Sequence, residues 1–278
     1  MDESSKPLIA RSILSRRALE NQVAVISGGG RGVGREAARA LAWLGARTVI
    51  AEIDSVSGHE TSSLINNEIK ARSSVFISTN VGDEESVNHM ARQVIRLFGQ
   101  ADIILNNATV KPFGSIRDQT IRDWDASYRV NLRGPILLLR VFLPAMLQRG
   151  NGVIAFISSQ RGRNLSAYKS LKTAQSELLH SVNEELGNEG LIAFMIHPEI
   201  VSITEKVTAN RKIAIAASDA DPLIQAVPDD RQPLSMEAAG TAIAAAIALA
   251  PRYRGLEIRA SSVLNDIGIP FDPSTKGV

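Results

Sequence analysis

Short apolar runs alternate with longer amphipathic segments from about residue 22 onward. The runs are rich in Val, Ile and Phe, and they are VAVIS (23–27), TVIAEI (48–53), SVFIS (74–78), DIILNN (102–107), GVIAFIS (152–158) and LIAFMI (191–196). Segments with helical periodicity separate them, as in REAARALAWLG and DEESVNHMARQVIRLFG. Continuous apolar strands separated by helices are typical of a parallel sheet covered on both faces. The pattern therefore predicts an α/β fold with a doubly wound parallel sheet in a single domain.

The alternation breaks once, between residues 199 and 235, where the chain is polar and contains three prolines. A segment this long between a strand and a helix is typical of a functional loop, so we predict a substrate loop or lid there. We assign residues 1–20 to an N-terminal arm, 21–265 to the folded domain and 266–278 to a C-terminal tail.

Composition excludes several classes of function. A hydrophobic fraction of 44% and a charged fraction of 22% are those of a soluble globular protein. The net charge of +2 gives no basis for electrostatic binding of nucleic acid. The absence of cysteine excludes disulfides, a thiolate nucleophile and cysteine-ligated zinc. The four histidines have no short metal-ligand spacing, so we predict no metal site.

The sequence also bears on location. The most apolar segment, AAGTAIAAAIALA at 238–250, is shorter than the roughly 20 residues that cross a bilayer, and we interpret it as a buried helix. The first twenty residues mix arginines with acidic residues and have no long apolar run, unlike a signal peptide. Together with the absence of cysteine, these features predict a cytoplasmic protein without membrane contact.

A glycine-rich turn joins the first predicted strand to the first predicted helix, in VAVISGGGRGVGREAARAL. Gly28, Gly32 and Gly34 allow a tight turn, close approach of a pyrophosphate and close packing of helix against strand. The helix N-terminus then attracts the anion. The next residues are Arg-Glu rather than Lys followed by Ser or Thr, which excludes a nucleotide-triphosphatase P-loop. The turn therefore predicts a dinucleotide site.

Two charged residues near this turn favour different forms of the dinucleotide. Glu52 ends the second strand, where a carboxylate binds a ribose 2′-hydroxyl and repels a 2′-phosphate. Arg31 lies inside the turn and suits a phosphate, although a charged residue on a turn is also commonly just solvated. Because the carboxylate is expected at the ribose itself, we predict NAD in preference to NADP.

A tyrosine, a lysine and a serine form the candidate chemical site. Tyr168 and Lys172 are four residues apart, so on a helix they share a face. An ammonium beside a phenol stabilises the phenolate, which makes the tyrosine usable as a general acid/base. Ser159 follows the fifth apolar run, at the edge where parallel sheets bind ligands. Its hydroxyl can bond a carbonyl oxygen while the tyrosine transfers a proton and the cofactor a hydride.

Five motifs in order, SGGGRGVG, NNA (106–108), the asparagine of YRVNLRG, ISS (157–159) and YKSLK, resemble those of the short-chain dehydrogenase/reductases. The resemblance covers about residues 20–260 and implies a Rossmann-like sheet of about seven strands. It also implies an enzyme that interconverts a secondary alcohol and a ketone on a small-molecule substrate with NAD(P). A homodimer or homotetramer is the assembly that the resemblance implies.

The resemblance further implies a role for each matched residue. Ser159 would orient and polarise the substrate carbonyl, and Tyr168 would act as acid/base. Lys172 would bind the nicotinamide ribose and assist the tyrosine, while Asn131 would hold a water in the proton relay. Besides the turn and Glu52, the residues expected along the cofactor are Val33, Asn80, Val81, Asn107, Ala108, Tyr168, Lys172 and Pro198.

The chain departs from the family pattern at several positions. Thr109 and Glu199 stand where the family commonly has glycine, and fewer residues than usual separate Ser159 from Tyr168. These departures motivate a second hypothesis, a redox sensor or scaffold that binds a dinucleotide with weak or no catalysis. A serine acyl enzyme is a third, suggested by Ser166-Ala-Tyr-Lys169, but the other motifs of that class are absent from the sequence.

Overall fold

The computed structural model describes residues 6–159, 165–199 and 234–271. Seven strands lie within these residues: β1 (Val23–Ser27), β2 (Arg47–Glu52), β3 (Ser74–Ser78), β4 (Ile103–Asn106), β5 (Gly152–Ile157), β6 (Leu191–His197) and β7 (Glu257–Arg259). They form one parallel sheet in the order β3-β2-β1-β4-β5-β6-β7. The predicted doubly wound parallel sheet is confirmed, and its order reverses between β1 and β4.

Helices cover both faces of this sheet. Those in the described residues are α1 (Gly32–Trp43), α2 (Ser55–Ile69), α3 (Glu84–Phe98), α4 (Ile121–Tyr128), α5 (Gly134–Arg149), α6 (Ser166–Leu186), α7 (Met236–Ala248) and α8 (Ala260–Asp266). A π-helical turn, Arg129–Arg133, joins α4 to α5. One apolar core joins the sheet to α1, α7 and α8, and the other cores join it to α3, α5 and α6.

The apolar runs locate six of the seven strands to within a residue or two. β1 is buried along its whole length, as expected for a central strand covered on both faces. The run at 48–53 ends one residue early, because Ile53 turns outward and is exposed. β7 has three residues, two of them exposed and charged, so it gives no apolar run to detect.

The apolar segment at 238–250 forms α7, and its buried residues pack against α1. Small side chains allow this close contact. A Cβ on Gly240 would lie only 2.5 Å from the backbone nitrogen of Ala37, so the two helices approach too closely for a larger residue. The interpretation as a buried helix rather than a membrane span is confirmed for this segment.

The helical run Ile121–Arg149, by contrast, is long and apolar enough to cross a membrane by length and composition alone. Its buried residues include Leu138, Phe142 and Met146, which pack in the same core as Met90 of α3. A core helix of a globular protein passes the same test, and the packing of this run against α3 is that of a core helix.

The described part of the N-terminal arm is packed against the domain. Ile9 lies in a short 3₁₀ helix and is buried, as is Leu19. The backbone nitrogen of Leu8 donates to Oε1 of Glu237 at 2.9 Å, and that of Ile13 donates to the carbonyl of Ile267 at 3.1 Å. These contacts join the arm to α7 and to the end of α8.

Two parts of the sequence predictions lie outside the described residues. Of the predicted lid, only Glu199 and the two residues at 234–235 are described. The connection 160–164, between the candidate serine and tyrosine, and the end of the predicted tail, 272–278, are also outside.

Candidate active site

The glycine-rich turn follows β1 and is packed too tightly for side chains. Gly28 has φ +65°, and a Cβ there would lie 2.8 Å from Cα of Ala108. A Cβ on Gly34 would lie 2.4 Å from both Nδ2 of Asn107 and the carbonyl oxygen of Gly28. Asn107 fixes the turn, since its Nδ2 donates to the carbonyls of Ser27 and Gly28, each at 2.9 Å. Close packing within the turn therefore requires glycine at both positions.

The turn leads into the N-terminus of α1, which offers backbone N–H groups. Arg31 precedes the helix, and within the described chain no side-chain bond caps this end. Gly32 has φ +58°, and a Cβ there would meet only Sδ of Met236, at 3.9 Å. Val33 packs inward against the core. An uncapped helix N-terminus beneath an open glycine fits the pyrophosphate of a dinucleotide.

Glu52 ends β2 and is 7% exposed. Its Oε2 accepts from the backbone nitrogen of Gly30 at 3.1 Å, and its Oε1 accepts from those of Ile53 at 2.9 Å and Asp54 at 3.2 Å. The carboxylate therefore braces the turn, and Oε2, which accepts one of these bonds, has an acceptor site left for a further donor such as a ribose hydroxyl.

Arg31 does not extend freely from the turn. Its Nη2 lies 2.7 Å from Oδ2 of Asp54, and both side chains are substantially exposed. Asp54 is also the N-cap of α2, where its Oδ1 accepts from the backbone nitrogen of Val56. The pKa of Asp54 is lowered, chiefly by its hydrogen bond with Ser57 and in smaller part by the charge of Arg31. The guanidinium of Arg31 is therefore already paired with the carboxylate of Asp54.

The other residues expected along the cofactor follow the carboxyl ends of neighbouring strands. Asn80 and Val81 follow β3, Asn107 and Ala108 follow β4, and Pro198 follows β6. Oδ1 of Asn80 accepts from the nitrogen of Gly82 at 3.0 Å, which shapes the bend there. Carboxyl ends of parallel strands meet at one edge of a sheet, so these residues share the edge with the glycine turn.

Tyr168 and Lys172 lie in the first turns of α6 and are 2% and 8% exposed. Nζ of Lys172 is 5.8 Å from the centre of the Tyr168 ring. It donates to the carbonyl of Ile157 at 2.6 Å and to Oε1 of Gln175 at 2.9 Å. Burial, and in smaller part the charge of Lys111, lower the pKa of Lys172 from 10.5 to about 7. The pair predicted from spacing is therefore a buried pair.

Asn131 lies in the π-helical turn, and its side chain joins three segments. Its Oδ1 accepts from Oγ1 of Thr109 at 3.0 Å and from the nitrogen of Val110 at 2.9 Å. Its Nδ2 donates to the carbonyl of Val110 at 2.7 Å and to Oγ of Ser127 at 2.8 Å. Thr109, one of the departures from the family pattern, thus bonds a residue of the candidate site. The backbone carbonyl of Asn131 accepts from Nε2 of Gln175.

Ser159 follows β5 and lines a cavity of about 460 Å³. Lys172, Ser176 and Glu257 are among the other described residues of its wall. This volume lies in the range of small-molecule pockets. The serine and the lysine thus border the same space.

Glu199, the second departure, takes the backbone conformation that glycine takes most easily. Its φ is +62°, and its nitrogen donates to Nδ1 of His197 at 2.9 Å. Its Oε2 accepts from the backbone nitrogen of Ser261, at the start of α8, at 2.7 Å. Burial lowers the pKa of His197. The left-handed turn is therefore kept without glycine, and the carboxylate anchors it.

Sequence reasoning missed three residues that lie against the candidate site. Lys111 is one, with Nζ 5.0 Å from the centre of the Tyr168 ring. Gln119 is another, since its Oε1 accepts from the nitrogen of Ala167 at 3.0 Å and its Nε2 donates to the carbonyl of Pro112 at 2.9 Å. Neither gives a sequence signal, because both lie in irregular chain. Gln175, the third, lies three residues after Lys172, and this helical spacing could have identified it.

No group of three or more His, Asp or Glu side chains in residues 6–159, 165–199 and 234–271 is arranged to hold a metal ion.

Fold and edge geometry together define a doubly wound α/β protein whose candidate site contains a glycine-rich turn and a buried tyrosine–lysine pair. Residues 22–213 match the family model for short chain dehydrogenases. The chain therefore belongs to the short-chain dehydrogenase/reductase family, a family of oxidoreductases, and the resemblance seen in the motifs is confirmed.

Individual relatives agree with this assignment. An oxidoreductase of Thermotoga maritima is 34% identical over 191 residues, which are 67% of this chain and 74% of that protein. Trans-4-hydroxycyclohexanecarboxylate dehydrogenase of Sinomonas cyclohexanicum is 31% identical over 209 residues, which are 72% of this chain and 79% of that protein.

Solved structures share the fold. A metagenomic short-chain oxidoreductase in complex with NADP aligns with a TM-score of 0.62 at 30% identity, over 74% of this chain and 94% of that one. A 7α-hydroxysteroid dehydrogenase complexed with NADH and 7-oxo glycochenodeoxycholic acid aligns with a TM-score of 0.74, over 88% of this chain and 94% of that one. Its identity of 22% makes it a likeness of fold alone.

Proposed function

We propose that the protein is an NAD(P)-dependent oxidoreductase that interconverts a secondary alcohol and a ketone, with Tyr168 as general acid/base. The observation that carries the proposal is the buried Tyr168–Lys172 pair, on the helix after β5 and at the sheet edge that also holds the glycine turn. A buried lysine beside a tyrosine suits proton transfer to or from a bound oxygen.

The bound dinucleotide supplies or accepts the hydride. In the proposed mechanism, the turn at Gly28–Gly34 holds its pyrophosphate, and Asn80 and Val81 lie near its adenine. Tyr168 donates a proton to the substrate oxygen during reduction and takes it back during oxidation. Ser159 bonds the same oxygen, and the Lys172 ammonium stabilises the phenolate and binds the nicotinamide ribose.

We further propose NAD as the preferred cofactor, a cytoplasmic location and a homodimer or homotetramer. The carboxylate of Glu52 at the turn supports NAD, because it would repel a 2′-phosphate. The pairing of Arg31 with Asp54 supports it also, because the guanidinium already has an anion. Members of the family are typically oligomers that act on small molecules, which supports the assembly.

The test is turnover by the wild type and by Tyr168→Phe. Wild-type protein is screened with NAD and NADP in parallel over secondary alcohols, polyols, hydroxysteroids, 3-hydroxyacyl compounds and cyclic hydroxy acids. Loss of a general acid/base lowers kcat on the order of 10²–10⁴-fold, so we expect that loss in Tyr168→Phe with NADH binding retained. Tyr253→Phe is the matched control, since this hydroxyl bonds Asp266 outside the proposed site.

A second candidate function is a dinucleotide-binding sensor or scaffold with weak or no catalysis. The observation that favours it is that Asn131, which the resemblance expects to hold a relay water, bonds protein groups through its side-chain oxygen and nitrogen and through its backbone carbonyl. Wild-type protein that binds NADH but turns over no compound of the panel would favour this candidate and reject the enzyme proposal.

A further inference from the structure

The sequence itself deprives the backbone carbonyl of Asn131 of its usual α-helical hydrogen bond. In a regular α-helix the carbonyl of residue i accepts from the N–H of residue i+4. For Asn131 that residue is Pro135, at the start of α5, and proline has no N–H. The chain passes this point as the π-helical turn Arg129–Arg133, with the nitrogen of Gly134 donating to the carbonyl of Arg129. The Asn131 carbonyl therefore lacks its α-helical donor and can take a partner from another part of the chain.

That partner is Gln175, which is 1% exposed. Its Nε2 donates to the Asn131 carbonyl, and its Oε1 accepts from Nζ of Lys172 at 2.9 Å. The side-chain amide of Gln175 thus donates to the π-helical turn and accepts from the lysine. The two ends have fixed polarity, because an amide nitrogen cannot accept and an amide oxygen cannot donate.

We propose that Gln175 is a positioning residue that links Lys172 to Asn131 and thereby orients the lysine ammonium for the reaction. The ammonium has three N–H groups. Ile157 and Gln175 take two of them in the described part of the chain, which leaves the third for Tyr168 or for the ribose of a bound cofactor. The effect of Gln175 on the reaction rests on the proposed function. Its effect on Lys172 rests on the hydrogen bonds alone.

The hydrogen bond from Lys172 to Gln175 also opposes the effect of burial on the charge state of the lysine. Burial and the charge of Lys111 both favour the neutral amine, whereas hydrogen-bond acceptors favour the ammonium. Among the described residues, further ionisable groups near Lys172 are Tyr168 and Lys169 on the same helix and Glu257 on the wall of the cavity. Removing the Gln175 acceptor should therefore make the lysine lose its proton at lower pH.

The test follows the titration of Lys172 in the full-length protein without cofactor, by NMR of lysines labelled with ¹³C at Cε. Lys172→Met assigns the signal. Gln175→Met keeps the length of the side chain and removes both hydrogen bonds, and we expect its lysine to titrate about one pH unit lower. Gln175→Glu places a carboxylate beside the ammonium, and we expect a midpoint at least about one pH unit higher. Val182→Ala is the control, because it removes buried packing from the same helix but no polar partner of Lys172.

Opposite shifts in the two Gln175 variants, with none in the control, support the proposal. It is overturned when wild type and Gln175→Met titrate together, when Gln175→Glu fails to raise the midpoint, or when Val182→Ala shifts it equally. Gln175→Glu alone decides the matter should Gln175→Met not fold. The pH profile of kcat should move with the NMR midpoint. Absence of wild-type turnover would reject the proposed function and leave the titration result standing.

Discussion

The glycine turn after β1 and the start of α6 hold their polar groups in different ways. In the turn, backbone atoms of Gly28 and Gly34 lie so close to Asn107 and Ala108 that a Cβ would not fit. At α6, the buried Lys172 is held by hydrogen bonds from side chain to backbone and from side chain to side chain. The first region depends on the absence of side chains, and the second depends on particular amides.

This difference predicts how each region responds to substitution. Adding one methyl group to the turn displaces backbone, and backbone has few ways to move in a close-packed interior. Changing an amide near α6 leaves the backbone in place and alters the charge state of a neighbour. Binding of cofactor should therefore be the sensitive property of the turn, and proton transfer that of α6.

The largest effect is expected for Gly28→Ala. At a φ of +65° a left-handed penalty of about 1–2 kcal/mol lowers the stability of the fold. The new Cβ would also lie 2.8 Å from Cα of Ala108, and this overpacking of about 1–3 kcal/mol displaces the backbone of the turn that is proposed to bind the cofactor. Because each 1.4 kcal/mol is tenfold, we expect NADH binding to weaken on the order of 10- to 100-fold in a fluorescence titration.

Gly99→Ala is the matched control for that variant. Gly99 ends α3 at a φ of +80°, and a Cβ there would meet nothing within 4 Å. It carries the left-handed penalty without the clash, so it should lower stability and leave NADH binding unchanged. Equal binding by Gly28→Ala and wild type would contradict the argument from close packing.

The contrast also explains what the sequence could predict. Glycine spacing after an apolar strand specifies backbone geometry directly, so the turn and most of the sheet were predictable. β7 was not predictable from an apolar run, because its three residues are mostly exposed. The expectation that distant residues form one site came from the resemblance. The roles assigned to Asn131, Ser159, Tyr168 and Lys172 stay predictions.

Long-range partners were the part that sequence could not supply. Gln119 bonds Ala167 across 48 residues, and Gln175 bonds Asn131 across 44. No periodicity relates such positions, because tertiary packing alone brings them together. Thr109 and Glu199 were recognised as departures, but their bonds to Asn131 and Ser261 depend on the fold.

An intermediate effect is expected for Asp54→Asn, which tests the predicted preference for NAD. The substitution removes the anion that pairs with Arg31, while an asparagine oxygen still caps α2. The freed guanidinium can then meet a 2′-phosphate, so we expect the ratio of NADPH to NADH affinity to rise on the order of fivefold.

Asp83→Asn controls for the change of cap. Asp83 is the N-cap of α3, where its Oδ1 accepts from the nitrogen of Ser86 at 2.8 Å. Both variants exchange an acidic cap for an amide, and only Asp54 pairs with Arg31. A ratio that rises equally in both, or in neither, would argue against a role for the Arg31–Asp54 pair in cofactor choice.

The smallest effect is expected for Glu199→Gly, measured as the free energy of unfolding in urea. Glycine relieves the left-handed strain of about 1–2 kcal/mol at a φ of +62°. It also removes the carboxylate that accepts from Ser261, and a bond to a charged group contributes about 1.5–3 kcal/mol. The loss exceeds the gain, so we expect a net destabilisation of about 0.5–1 kcal/mol.

Lys70→Gly separates the two contributions. Lys70 ends α2 at a φ of +56°, and in the described part of the chain no side-chain hydrogen bond anchors it. Both variants relieve similar strain and add similar freedom to the unfolded chain, so those contributions cancel in their difference. What is left is the bond between Glu199 and Ser261. If Glu199→Gly is as stable as Lys70→Gly relative to wild type, the carboxylate contributes nothing, and the left-handed turn after β6 is held by its neighbours alone.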